Sequence, residues 1–157
     1  MGSKVYGMGF VLEPEEASAL IAKDSRNVDI IFPFLNGENL NTRPDQSPSR
    51  YVINFFDWPL EKAEQYSDCM ALVREKVYPE RMQQNREIRK RYWWRYGEIA
   101  PGLYRAIAPL RRILIVAQTS KTLAWSRVNV RLCFRMTLAL LITRPLCLLR
   151  ACESPAS

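Results

Sequence analysis

The chain has 157 residues, 48% of them hydrophobic, and a formal net charge of +7 at pH 7, a single-domain length and a composition that excludes a disordered chain. The charge is uneven: residues 1–60 hold 5 Lys/Arg against 8 Asp/Glu, residues 61–127 hold 14 against 7, and residues 128–157 hold 4 against 1. A basic middle and end favour a polyanionic partner. Four cysteines without a CxxC pair, and no histidine, argue against a structural zinc site.

Glu13-Pro14-Glu15-Glu16 places a proline and acids at a helix start, so a short helix is expected over the following residues to Lys23. Residues 28–34 are β-branched and aromatic and stop at Asn36-Gly37, which predicts a strand running into a turn. Residues 39–50 string together Asn, Pro, Asp, Gln and Ser, the composition of a surface loop. A second strand is expected over 51–56, whose nearly continuous apolar run implies that both faces are covered. Asp57-Trp58-Pro59 opens a helix with Ala63, Tyr66, Met70 and Val73 on one face, ended or kinked at Pro79.

Residues 81–96 are predicted as a basic helix: Arg81, Arg86, Arg89, Lys90, Arg91 and Arg95 surround Tyr92-Trp93-Trp94-Tyr96. Pro101-Gly102 closes it, residues 103–109 form a short helical turn, and 112–117 is an apolar strand with a hairpin partner over 123–128. The interleaving of helices and strands gives a mixed α/β (α+β) fold, a small sheet with helices.

From residue 129 the sequence is rich in Leu, Arg and Cys and lacks the earlier periodicity. Residues 129–157 are expected to be an atypical, non-native ending, for instance one read out of frame; the alternative is an ordinary helix over 138–149. The apolar run 136–149 is broken by Arg144-Pro145 and is too short to span a bilayer. With no basic-then-apolar leader at the start, a reducing cytoplasm is expected.

Taken in order, YGMGFVLEPEEA (6–17), IIFPFLNGENLNTRPDQSPSRYVINFFDWP (30–59), VREKVYPER (73–81), YWWRY (92–96) and LYRAIAPLRRILIVAQTSK (103–121) form a composite pattern. It resembles the target-recognition region of type IIG restriction-modification enzymes of the MmeI-like kind, over roughly residues 5–128. The resemblance implies that residues 1–128 are a partial DNA target-recognition domain. Its family partners would be an adenine-specific methyltransferase domain that uses S-adenosylmethionine and a nuclease domain that uses magnesium. Neither chemistry is expected in this chain. Gly7-Met8-Gly9 is a lone GxG, no Asn-Pro-Pro-aromatic loop for a flipped adenine occurs, and Asp57 and Glu61 are explained by a helix cap and a solvated acid rather than by metal chemistry. No catalytic residue, metal site or cofactor is therefore assigned, and double-stranded DNA is the expected partner.

Arg81, Arg86, Arg89, Lys90, Arg91 and Arg95 are the candidates for phosphate contacts, which position a domain without specifying sequence. Trp93 and Trp94 could stack on a base, but neighbours on a helix point about 100° apart, and core packing is favoured for the pair. Gln118, Thr119, Ser120, Lys121 and Arg127, on or beside the turn after a buried strand, are the first candidates for base reading. The loop 41–50, with Arg43 and Gln46, is the second, and it could equally brace a methyltransferase domain. The competing class of function is a truncated fragment acting as a protein-interaction or structural piece with only nonspecific DNA binding.

Overall fold

The computed structural model describes residues 8–45, 47–99, 101–117, 125–129, 133–134 and 138–141. The helix expected after Glu13 forms as α1 (Pro14–Lys23). Pro14 occupies the first turn, where its missing N–H would have had no partner in any case. The Glu16 carboxylate accepts the Glu13 backbone N–H at 3.0 Å and lies 3.4 Å from Lys76 Nζ. The Glu13 N–H, helped by Lys76, holds the Glu16 carboxyl below its ordinary value of 4.5. A folded pKa below the unfolded one gives stability that is present above the unfolded value and lost as pH falls through the folded one. Glu16→Gln is therefore expected to flatten the acid side of a plot of Tm against pH below about 4.5. With Glu16 partly exposed, the loss at neutral pH should stay under about 1 kcal/mol.

Two sheets follow. In the first, β1 (Val11–Leu12), β3 (Arg50–Ile53), β2 (Ile31–Leu35) and β6 (Cys133–Phe134) lie side by side in that order. β3 runs antiparallel to β1 and β2, with Val52 opposite both Val11 and Phe32, whereas β6 runs parallel to β2. In the second, β4 (Arg112–Ala117) is flanked by β5 (Trp125–Asn129) and β7 (Leu138–Leu141), both antiparallel. The hairpin expected from residues 112–128 is thus present, with Ile113 opposite Val128. Helices and small sheets together make an α+β fold.

The core lies between the first sheet and α4 (Ser67–Met82). Phe10, Leu12, Ile30, Val52, Ile53 and Phe55 meet Cys69, Met70, Val73 and Val77, which recur on one helical face. Burial pushes the Cys69 thiol up to about 12, so it serves as a small apolar filler rather than a nucleophile. Gly9 lets the chain cross α4 closely, since a Cβ there would sit 2.6 Å from Val77 Cγ2. That close crossing is the role the structure gives to a glycine of the GxG.

Several expectations are corrected. The turn at Asn36-Gly37 opens a helix, α2 (Gly37–Thr42), because the Asn36 and Asn39 side chains cap each other's backbone N–H groups at 2.9 and 3.3 Å. β3 stops at Ile53 rather than at 56: Asn54 Oδ1 accepts the Phe56 N–H at 2.9 Å, and Phe56 turns to φ 51°. The helix after Pro59 divides into α3 (Leu60–Ala63) and α4. Tyr66 is drawn out of helical geometry between them, stacking on Trp58 at 5.8 Å and donating its hydroxyl to Asp29 at 3.3 Å. Pro79 lies inside α4, which continues to Met82 with Val77 and Arg81 buried on either side of it. Of the basic helix expected over 81–96, only the end of α4 and α5 (Glu87–Arg91) are helical, and Pro101 begins α6 (Pro101–Ile107) instead of closing a helix. Residues 138–141, the start of the alternative C-terminal helix, pair as strand β7.

Candidate nucleic-acid interface

The segment from the end of α4 to Tyr96 carries the basic and aromatic cluster, and its backbone is fixed by aromatic anchors. Trp93 and Trp94 are 7% and 6% exposed. α5 ends at Arg91, and in the turn that follows both rings face the core. Trp94 Nε1 and Arg95 Nε both donate to the Trp58 carbonyl at 3.0 Å. Tyr96 donates its hydroxyl to the Ile53 carbonyl at 2.8 Å and packs edge-on against Phe10 at 5.1 Å. Trp93 does the same against Tyr78 at 5.2 Å. Core packing, the favoured reading of the two tryptophans, is what the structure shows.

On this base the cations separate into two groups. Arg86 and Arg91 are exposed on the outside of α5, beside Lys90, which pairs with Glu87 at 2.8 Å. Arg81, Arg89 and Arg95 instead line a cleft of about 320 Å³ together with Tyr92, Tyr96 and Ile99. The Arg95 guanidinium lies 4.6 Å from the Tyr92 ring centre and 5.3 Å from that of Trp94, a cation–π arrangement that limits its motion. Arg89 Nη1 donates to Gln84 Oε1 at 3.3 Å.

Arg81 departs from the expectation of a surface contact, being 1% exposed. Its Nη2 donates to the Arg95 carbonyl at 3.4 Å, while Nε has no hydrogen-bond partner. Arg81 forms no ion pair among the described residues. Desolvation lowers its pKa, and the nearby charge of Arg89 adds to the effect. A buried donor left without a partner costs about 1–3 kcal/mol, more for a charged group.

The base-reading candidates are placed less fully. Gln118, Thr119, Ser120, Lys121 and Gln46 lie outside the described residues. Arg127 stands in β5 opposite Leu114. Arg43 ends α2, 3.9 Å from Asp45, and lines a separate hollow of about 290 Å³ with Asn36, Asn39 and Arg50. The loop after α2 is tied back by a 2.9 Å bond from Asn39 Nδ2 to Ser49 Oγ. Sequence reasoning missed Trp58 as an anchor of the cluster. Lys62 Nζ sits 3.8 Å from its ring centre, while its carbonyl holds Trp94 and Arg95, a link across 36 and 37 positions that no local pattern encodes.

Among the described residues, no group of three or more His, Cys, Asp or Glu comes together to hold a metal ion, and no helix is long and apolar enough to cross a membrane. No protein-family model and no curated protein matches the sequence. The structure is similar to that of the type IIL restriction-modification enzyme MmeI in complex with DNA, with a TM-score of 0.63 and 15% identity, over 87% of this chain. It spans 18% of the length of that chain. The chain thus has the fold of a segment of a restriction-modification enzyme.

Proposed function

We propose that this chain is a double-stranded DNA recognition domain. The observation that carries the reading is the segment 81–96, where six Lys/Arg face a single acid, Glu87, on a backbone pinned by buried tryptophans. Cations on the outer side of such a base, Arg86, Lys90 and Arg91, can meet successive phosphates. Likeness to an enzyme whose structure was determined with DNA supports the same partner.

In this reading the domain is the target-recognition piece of a type IIG enzyme. It leaves methyl transfer from S-adenosylmethionine and magnesium-dependent cleavage to other domains, with a methyltransferase domain or subunit as its protein partner. Arg86, Lys90 and Arg91 contact phosphates. Arg127 and the turn residues Gln118, Thr119, Ser120 and Lys121 read bases in the major groove, with Arg43 and Gln46 as a second reading element. The test is a selection from randomised duplexes at about 150 mM salt, where unspecific phosphate attraction is weakened. Enrichment of a short defined site is expected. Recovery of unenriched duplexes would reduce the activity to phosphate attraction and overturn recognition.

A further inference from the structure

We propose that the cleft between the end of α4 and the turn after α5 binds the phosphate group of one nucleotide unit, with Arg81, Arg89 and Arg95 as its cationic wall. The inference rests on the DNA reading only for the source of that phosphate. Three guanidiniums line one cavity, and two of them are set by the fold: Arg95 by the Trp58 carbonyl and the Tyr92 ring, Arg81 by burial. Arg81 Nε, which has no partner, belongs to a side chain that lines the cleft.

A tetrahedral phosphate can accept from several guanidinium forks at once, which a planar carboxylate with two oxygens does less well. The cavity of about 320 Å³ exceeds the needs of a bare ion and falls at the lower end of small-molecule sites, about 300–1,000 Å³. Tyr92 and Ile99 supply a ring and an apolar wall beside the cations, suited to the sugar or base attached to the phosphate. The site therefore differs from the exposed cations of α5, which can neutralise a passing phosphate but do not enclose one.

The experiment titrates the full 157-residue chain by calorimetry with inorganic phosphate, dAMP and deoxyadenosine, and measures competition of dAMP with a fluorescent duplex. We expect dAMP to bind more tightly than inorganic phosphate and deoxyadenosine to give no heat. Arg89→Gln and Arg81→Met should each weaken dAMP at least about tenfold, a loss of about 1.4 kcal/mol, and Arg26→Gln, at an exposed arginine outside the cleft, should leave it unchanged. Arg89 is only half-buried, so its variant keeps the test usable if Arg81→Met does not fold. Displacement of the duplex by dAMP identifies a backbone phosphate as the natural ligand, whereas dAMP binding without displacement identifies a free nucleotide; both uphold the site. Failure of dAMP and phosphate to bind, or equal dAMP binding by wild type and both Arg variants, overturns it. Duplex binding without any dAMP binding would remove the cleft and leave the DNA reading standing, and dAMP binding without duplex binding would do the reverse.

Discussion

Phe10→Ala is expected to destabilise the fold by about 3–5 kcal/mol, the cost of removing a fully enclosed aromatic side chain. Phe10 is 0% exposed, its ring meets the edge of Tyr96 at 5.1 Å, and its carbonyl accepts the Ile53 N–H at 3.0 Å. It stands where β1, β3 and the turn carrying Tyr96 converge. Gly9 beside it touches α4 at a separation that admits no Cβ, so the chain has little freedom to collapse into the space left behind. Urea unfolding should show a lower midpoint at constant m, and thermal melts a fall of roughly 10 °C. Phe32→Ala provides the comparison: Phe32 is only half-buried, on the edge of Phe56 at 5.6 Å, and should cost clearly less. Equal losses for the two variants would contradict the placement of Phe10 at the centre of the core.

The second large effect concerns DNA. Replacing Arg86, Lys90 and Arg91 together by Gln should make the dependence of binding on salt shallower by about 2.7 in a log–log plot, at roughly 0.9 for each phosphate that is no longer neutralised. Raising salt from about 50 to 200 mM would then cost the wild type about 40-fold more affinity than the variant. Its Tm should scarcely move, because Arg86 and Arg91 are exposed and Lys90 makes an i,i+3 pair with an exposed Glu87. Fluorescence anisotropy with a duplex of random sequence measures the slope directly. An unchanged slope would mean that α5 faces away from the nucleic acid and that the basic surface lies elsewhere.

Where local chemistry decided the outcome, the sequence was a sufficient guide. Pro14 and its acids mark α1, β-branched runs mark β2 and β4, and the predicted Met70 and Val73 occupy the inward face of α4. The departures have nonlocal or compensating causes. Periodicity carried a helix through Tyr66, but Trp58 and Asp29 pull that residue out of the ladder. A loop was expected around Asn39, whose amide instead completes a cap with Asn36 and reaches Ser49. The site was legible as a basic and aromatic composition, not as a shape. Nothing in the order Arg81 to Arg95 announces that α5 stops at Arg91, before the two inward-facing tryptophans, or sorts the cations between an outer face and a cleft.

The parallel pairing of β6 on β2, with Leu35 opposite Phe134, has a consequence for biosynthesis. Leu35 leaves the ribosome about a hundred residues before its neighbour exists, so a nascent chain can assemble β1, β3 and β2 while the outer edge of β2 still presents unpaired backbone groups. Such an edge is a template for a strand of another molecule. Ribosomes stalled after β5 would therefore release products prone to join edge to edge, and this edge stays open until β6 is made.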